Sequence, residues 1–422
     1  MIKSIDKIIK IFVAISFILF AQPAFTQQLT LEDAWQLAKV NYPLIKKNEM
    51  IKESAKFSLQ NVGKAFLPQF TINGQATYQS DVTSIPIAMP GINEMSKDQY
   101  RLAGEVSQLL YDGGSVNAQK EILKATEAVQ LQNIEVSMQS VKERITDIYF
   151  GILLLEEQLA QTKLRRSSLE AALKKAEAAY KNGVSFKSNV TELKAEILAV
   201  NMNDIEIISE RRAYMEMLLK ITGEPIQGNT VFVKPATLPD FNAINRPEVK
   251  FFDTQKTVYE AQKKKLQADW MPKISAFAQG GYGRPGLNML NNNFAPFALG
   301  GVRFSFPINN VYTWKNNLKI VELNQRQLEA EKEAFLINTN ATLQKQLQDQ
   351  HKYEALIAED EKLIELRQEI TKSAQAQLEN NVITVSEFIN KLNAEHQARQ
   401  IKYMHQLQLL KAKYNYLITS GN

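Results

Sequence analysis

The apolar positions along this chain follow two different periods. From Phe70 they alternate. Phe70, Ile72, Gly74, Ala76 and Tyr78 stand against the polar Gln69, Thr71, Asn73, Gln75 and Thr77. Three later segments alternate in the same way. Tyr100, Leu102, Gly104 and Val106 oppose Arg101, Ala103, Glu105 and Ser107. Ile274, Ala276, Ala278, Gly280 and Tyr282 oppose Lys273, Ser275, Phe277, Gln279 and Gly281. Val302, Phe304 and Phe306 oppose Gly301, Arg303 and Ser305. Period two predicts four strands, each with one apolar and one polar face. Phe277 falls in the polar set, so the third strand is less clean. Segments of about ten residues suit tilted membrane strands, and a half-buried sheet on a soluble core alternates likewise.

Elsewhere the spacing is that of helices. Val141, Ile145, Ile148, Ile152, Leu155 and Leu159 step by fours and threes, and Leu169, Leu173, Ala176 and Tyr180 continue the row. Val190, Leu193, Ile197 and Val200 do the same, as do Tyr403, Leu407, Leu410, Tyr414 and Leu417. These are coiled-coil seams. Ser115–Lys181 has no Pro and a single Gly, Gly151, and Thr313–Glu379 has neither. As a helix each would run roughly 100 Å. The breaks at Asn182-Gly183 and Asn380-Asn381 are residue types that tolerate a left-handed helix end. Shorter helical stretches, Leu31–Ala65 and Glu248–Asp269, end before Pro68 and Pro272, where a helix cannot continue without losing a hydrogen bond.

The pattern is written twice. Pro43 and Pro68, Lys46, Lys52, Gln75 and Tyr78 recur 204 residues later as Pro247 and Pro272, Lys250, Lys256, Gln279 and Tyr282. The fold expected is mainly α with a small β part, internally duplicated. A first repeat spans 27–222, a linker 223–246 and a second repeat 247–422. Each repeat holds a helix, two strands and a long helical hairpin. Residues 1–26 precede them. Lys3, Lys7 and Lys10 lead into the apolar run Ile11–Ala21 and the small residues Ala21, Ala24 and Thr26, the layout of a secretory signal peptide. An uncleaved N-terminal anchor is the other reading of that segment.

Composition narrows the function classes. Without Cys there are no disulfides, zinc-thiolate sites, catalytic thiols or lipidated N-terminal Cys, so the protein is not expected to be a lipoprotein. Fifty basic residues against 45 acidic ones are too balanced to imply nucleic acid. His351, His396 and His405 stand outside any metal-ligand spacing and are expected to be packed or solvated. Gly280–Gly286 lacks the Lys and Ser/Thr of a phosphate loop, and no nucleophile elbow occurs. No catalytic, cofactor or metal site is expected. Four strands cannot close a membrane barrel, and the smallest common barrels need about eight, so several chains would have to assemble.

The order and spacing of several short motifs resemble the TolC-type outer-membrane efflux channels, over nearly the whole chain after the leader. They are Leu29-Thr-Leu-Glu-Asp-Ala-Trp-Gln-Leu-Ala38 with Asn41-Tyr-Pro43, Ala65-Phe-Leu-Pro68, Leu110-Tyr-Asp-Gly-Gly114, Tyr180-Lys-Asn-Gly-Val184 and Arg246-Pro-Glu248. Ile308-Asn-Asn310 and Asn381 depart from the second-half pattern. The resemblance implies a homotrimer whose twelve strands form a β-barrel in outer-membrane lipid, continued by a periplasmic α-helical barrel. It implies a passive conduit for efflux or secretion. An inner-membrane transporter of RND, ABC or MFS type would drive it through a periplasmic adaptor. Arg101, Glu105 and Arg303 are the candidate lumen-facing residues. The hairpin tips, Asn182, Gly183, Val184, Asn380, Asn381 and Val382, are the candidate adaptor contacts. Glu387 and Asn390 fall where the family places acidic residues of the periplasmic gate. Thr384 and Glu387 also fit a helix capping box, and both readings of Glu387 stay open. The alternative class is a periplasmic coiled-coil adaptor or scaffold without a barrel.

Overall fold

The structure, a computed structural model, describes residues 28–83, 95–226, 230–236, 243–380 and 382–422. The expected signal segment lies outside them. In chain order the elements are β1 (Gln28–Leu29), α1 (Leu31–Asn41), α2 (Lys46–Gly63), β2 (Gln69–Tyr78), β3 (Asp98–Tyr111), α3 (Ser115–Lys181), α4 (Lys187–Thr222), β4 (Val231–Phe232), α5 (Pro247–Asp269), β5 (Lys273–Arg284), β6 (Ala295–Ser305), α6 (Asn310–Glu379) and α7 (Val385–Ser420). The fold is mainly helical with a small antiparallel sheet. The first helical stretch, expected to be continuous from Leu31, is two helices. Pro43 lacks the amide that a continuing helix would use, and a short 3-10 turn at Pro43–Ile45 separates them. The two long helices hold 67 and 70 residues.

Two compact units share these elements. One comprises residues up to Tyr42, Met138–Ile244 and Ala341–Asn422. The other comprises Pro43–Ser137 and Asn245–Asn340.

The first unit is helical and has two cores. In one, Leu31, Ala34 and Ala38 of α1 lie among Ile145, Ile148, Tyr149 and Ile152 of α3, Leu218 of α4 and Leu410, Tyr414 and Leu417 of α7. The seam of α3 is buried from Val141 to Leu155 and again at Leu169, whereas Tyr180 at its end is exposed. The second core joins the ends of the two hairpins. Leu169 and Leu193 meet Ala374, Val385, Phe388, Ile389 and Leu392. The motif at Leu29–Ala38 has a local cause. Thr30 caps α1 by accepting from the Asp33 amide at 3.0 Å, and Asp33 Oδ2 accepts from the Thr30 amide at 3.2 Å. The stretch 223–246, expected to be only a linker, supplies a strand. β4 pairs in parallel with β1, Gln28 opposite Val231 and Leu29 opposite Phe232.

The second unit carries the sheet, in the order β2-β3-β5-β6, antiparallel throughout. The Leu110–Gly114 motif is the junction from β3 into α3. Asp112 accepts from the amides of Gly114 at 2.9 Å and Val116 at 2.5 Å. Gly113 and Gly114 have φ of 70° and 86°, and a Cβ on Gly113 would lie 2.2 Å from that of Met271. Only glycine fits there. At the corresponding junction into α6, Asn310 instead donates its side-chain amide to the Asp269 carbonyl at 3.0 Å.

Tyr149 holds the first unit's small sheet in place. Its hydroxyl donates toward the carbonyls of Leu29 and Val233, each 2.7 Å away, and its ring meets Phe232 edge-on. Tyr149→Phe should lower stability by about 1–2 kcal/mol, because buried carbonyls lose their donor. Urea unfolding in detergent measures the loss, and limited proteolysis should show faster cleavage around 230–236.

Candidate functional site

Cross-strand pairing sorts the sheet into two faces. Phe70 pairs with Val106, Ile72 with Gly104, Ala276 with Val302 and Ile274 with Phe304, so these residues share one face with Tyr78, Tyr100 and Leu102. Phe70 is 77% exposed, Ile72 81% and Phe304 67%. This face is apolar and uncovered in the single chain. The opposite face holds Gln69, Thr71, Asn73 and Gln75 with the candidate residues Arg101, Glu105 and Arg303. Arg303 reaches Glu105 at 3.2 Å, and Arg101 donates to Gln279 at 3.3 Å. The structure thus brings the three charged candidates onto one wall. Phe306 does not join the apolar face. It lies past the end of β6, with its ring 6.4 Å from that of Trp270. The backbone has already left the sheet there to enter α6, so the two-residue alternation no longer decides where a side chain points.

The hairpin tips gather in the first unit. At the first tip, Gly183 has φ 75°, its amide donates to Tyr180 and that of Val184 to Ala179, which closes α3. Asn182 lies in that turn. At the second, the Asn380 side chain donates to the Ala376 carbonyl at 2.8 Å and the Val382 amide to Gln377 at 2.8 Å. Asn381 lies outside the described residues. Val184, Phe186 and Val382 stand 63%, 79% and 70% exposed, an apolar rim that the helix pattern alone does not account for. Between the hairpins a cavity of ≈ 1440 Å³ is lined by Lys175, Phe186, Asn189, Glu379, Glu387 and His396 among others. Lys175 and Glu379 join α3 to α6 across it at 2.5 Å.

Glu387 makes the capping box. Its carboxylate accepts from the Thr384 amide at 2.9 Å, and its own amide donates to the Thr384 hydroxyl at 3.2 Å. The Thr384 amide, then the Thr384 hydroxyl, hold its pKa below the ordinary glutamate value. It therefore remains an exposed carboxylate at neutral pH. Asn390 is exposed one turn further along α7. His351 is exposed, and His405 meets Asp360 at 2.6 Å. His396 is buried, and its Nδ1 has no hydrogen-bond partner among the described residues. No group of three metal-ligating side chains occurs among them, and no described helix is long and apolar enough to cross a membrane.

Residues 34–224 match the family described as outer membrane efflux protein. The outer-membrane channel OprN is 13% identical, with 93% of this chain and 89% of that one covered and a TM-score of 0.67. The CmeC outer membrane channel of Campylobacter jejuni is 14% identical over 93% of this chain and 85% of its own, with a TM-score of 0.65. The MtrE outer membrane channel of Neisseria gonorrhoeae, in its open state, is 15% identical over 93% and 89%, with a TM-score of 0.65. No curated protein matches by sequence.

His396 gives the tip region a pH dependence. Burial, opposed by Glu395 and reinforced by Arg165 and Arg399, pushes its pKa from 6.5 down to about 4. The unfolded chain therefore takes up a proton that the folded chain refuses. Stability should be full above pH 6.5 and fall as pH drops from 6.5 to 4. Thermal unfolding midpoints across that window should decline less in His396→Leu than in the parent protein.

Proposed function

We propose that this chain, which has the fold of the TolC-type channels and the outer membrane efflux signature over residues 34–224, is the outer-membrane channel of a tripartite efflux or secretion system. One observation carries the reading. The four-stranded sheet exposes an apolar face and a polar face, and among the described residues the outer edges of β2 and β6 have no strand partner. In lipid every backbone amide needs a partner, so those edges must meet other strands. Pairing β6 of one copy with β2 of the next closes a ring, and three copies make twelve strands. Each large apolar side chain then leaves water for lipid, contributing about 1.5–3 kcal/mol. The polar face lines the lumen, with Arg101, Glu105 and Arg303 on it.

In this reading residues 1–26 direct export, and the protein sits in the outer membrane with its helical hairpins in the periplasm. The two repeats, 27–222 and 247–422, descend from one duplicated unit. The tips at Asn182–Val184 and Asn380–Val382 meet a periplasmic adaptor, and an inner-membrane transporter supplies energy and cargo. The chain conducts passively and catalyses nothing. Glu387 serves twice, as the cap of α7 and as one of three carboxylates around the periplasmic constriction, where they attract cations and repel each other. Asn390, on the same helical face, contributes no charge to a second ring.

Detergent-extracted protein should run as a trimer with both α and β circular dichroism; a stable monomer with that spectrum overturns the barrel. Phe304→Arg should deplete the trimer, because an arginine at mid-bilayer costs about 2–4 kcal/mol, while Thr71→Arg should assemble normally. Equal tolerance of the two would refute the face assignment. In single-channel recordings Glu387→Gln, which keeps a capping acceptor, should shift ion selectivity away from cations. Unchanged selectivity with unchanged stability would leave Glu387 a cap alone.

A further inference from the structure

The polar face of the sheet is not evenly charged. Its strand residues include Arg101, Lys273 and Arg303 but a single carboxylate, Glu105. The other charged strand residues, Asp98 and Arg284, lie on the opposite face and pair with each other. Glu105 is shared with Arg303, whereas the hydrogen-bond partner of Arg101 is the neutral Gln279. A surplus of cations therefore remains on the polar wall.

The same face carries two aromatics where alternation calls for polar residues, Phe277 and Phe297. Each sits opposite a glycine, Phe277 across from Gly301 and Phe297 across from Gly281. A Cβ on Gly281 would lie 2.5 Å from the Phe297 ring, and one on Gly301 3.4 Å from the Phe277 ring. The rings thus lie down over the glycines. Above each ring is a guanidinium. Arg101 Cζ is 4.4 Å from the Phe297 centroid and Arg303 Cζ 4.7 Å from that of Phe277. A weakly hydrated guanidinium held on a ring keeps a fixed place on the wall and donors for anions. A lysine on the same surface would hold its charge on a flexible stem.

We propose that this wall selects for anions, with Arg101 and Arg303, seated on their Phe–Gly pairs, as the specificity-determining residues, and that organic anions are the favoured cargo at the barrel. The proposal rests on the reading of the sheet as a barrel wall. Three copies would repeat the surplus around one lumen, where low-dielectric walls focus the field and raise the local concentration of counter-ions. Rings of Arg and Lys are the chemistry of anion pores.

The test is a planar-bilayer recording of the full-length trimer. Pyrenetetrasulfonate, a planar polyanion, is added to the side bearing the β-barrel, and spermine serves as the polycation control. The polyanion should block from that side and spermine should not. The double variant Arg101→Gln, Arg303→Gln should need about tenfold more polyanion for half-block. The charge-keeping double variant Arg101→Lys, Arg303→Lys should stay nearer the parent protein. Parent channels that conduct but ignore the polyanion, or Gln and Lys variants that lose block equally, overturn anion selection. Stronger block by spermine from the barrel side also overturns it. A parent protein that forms no channel fails the barrel reading instead.

Discussion

Among the described residues the outer edges of β2 and β6 have no strand partner, and this is the constraint on which the molecule turns. A four-stranded sheet with polar residues on one face and Phe70, Ile72, Val302 and Phe304 bare on the other presents a contiguous apolar surface, the kind that marks a contact with protein or membrane. It needs a cover for its apolar face and partners for its edge amides. Lipid supplies the first and cannot supply the second, because it offers no hydrogen bonds. In the proposed trimer, assembly through the edges would answer both demands together. The junctions at Asp112 and Asn310 hand the chain between sheet and helix with hydrogen bonds to backbone groups that the turn would otherwise leave without a partner.

The helical unit solves a different problem. Long helices in a hairpin can slide along a uniform apolar seam, and this protein marks its register with buried and half-buried polar contacts. Asp204 of α4 is 8% exposed, accepts from the Thr162 hydroxyl at 2.6 Å and pairs with Arg166. Arg165 pairs with Glu196, which also accepts from Asn393 of α7 at 3.1 Å. A slip by one turn would strand these groups, and a buried charge without its partner is costly. Near the tips the apolar core around Leu169, Leu193 and Phe388 ends, and exposed Val184, Phe186 and Val382 begin. The same side-chain chemistry thus holds the hairpins together inside and offers contact outside.

Charge is distributed with the same economy. The sheet's polar face gathers cations, while the start of α7 carries Glu387 in a capping arrangement that keeps it ionised. One carboxylate satisfies a helix end and remains available to solvent. Phe277, which disturbs the alternation of the third strand, has a role only beside Gly301 and Arg303.

The sequence alone determined the parts that depend on neighbours along the chain. Period two named the four strands and sorted nearly all their residues to the correct common face. The fours and threes of Val141 to Leu155 named a buried seam, and Asn182-Gly183 named a helix end. Thr384 and Glu387 were legible as a cap because a capping box closes over three residues. Contacts between distant segments were not legible. The parallel pairing of Gln28–Leu29 with Val231–Phe232 joins two residues to two others across some two hundred positions, too short for any periodic signal. The departure of Phe306 from the sheet depends on where the chain turns into α6. The seating of Arg101 on Phe297 needs two strands in register before it exists. His396 reads in sequence as one more polar helix residue. Only burial in the folded chain takes water from it and lowers its affinity for a proton. Periodicity follows from the local geometry of the backbone, whereas burial and cross-strand pairing depend on tertiary contacts between segments far apart in the chain.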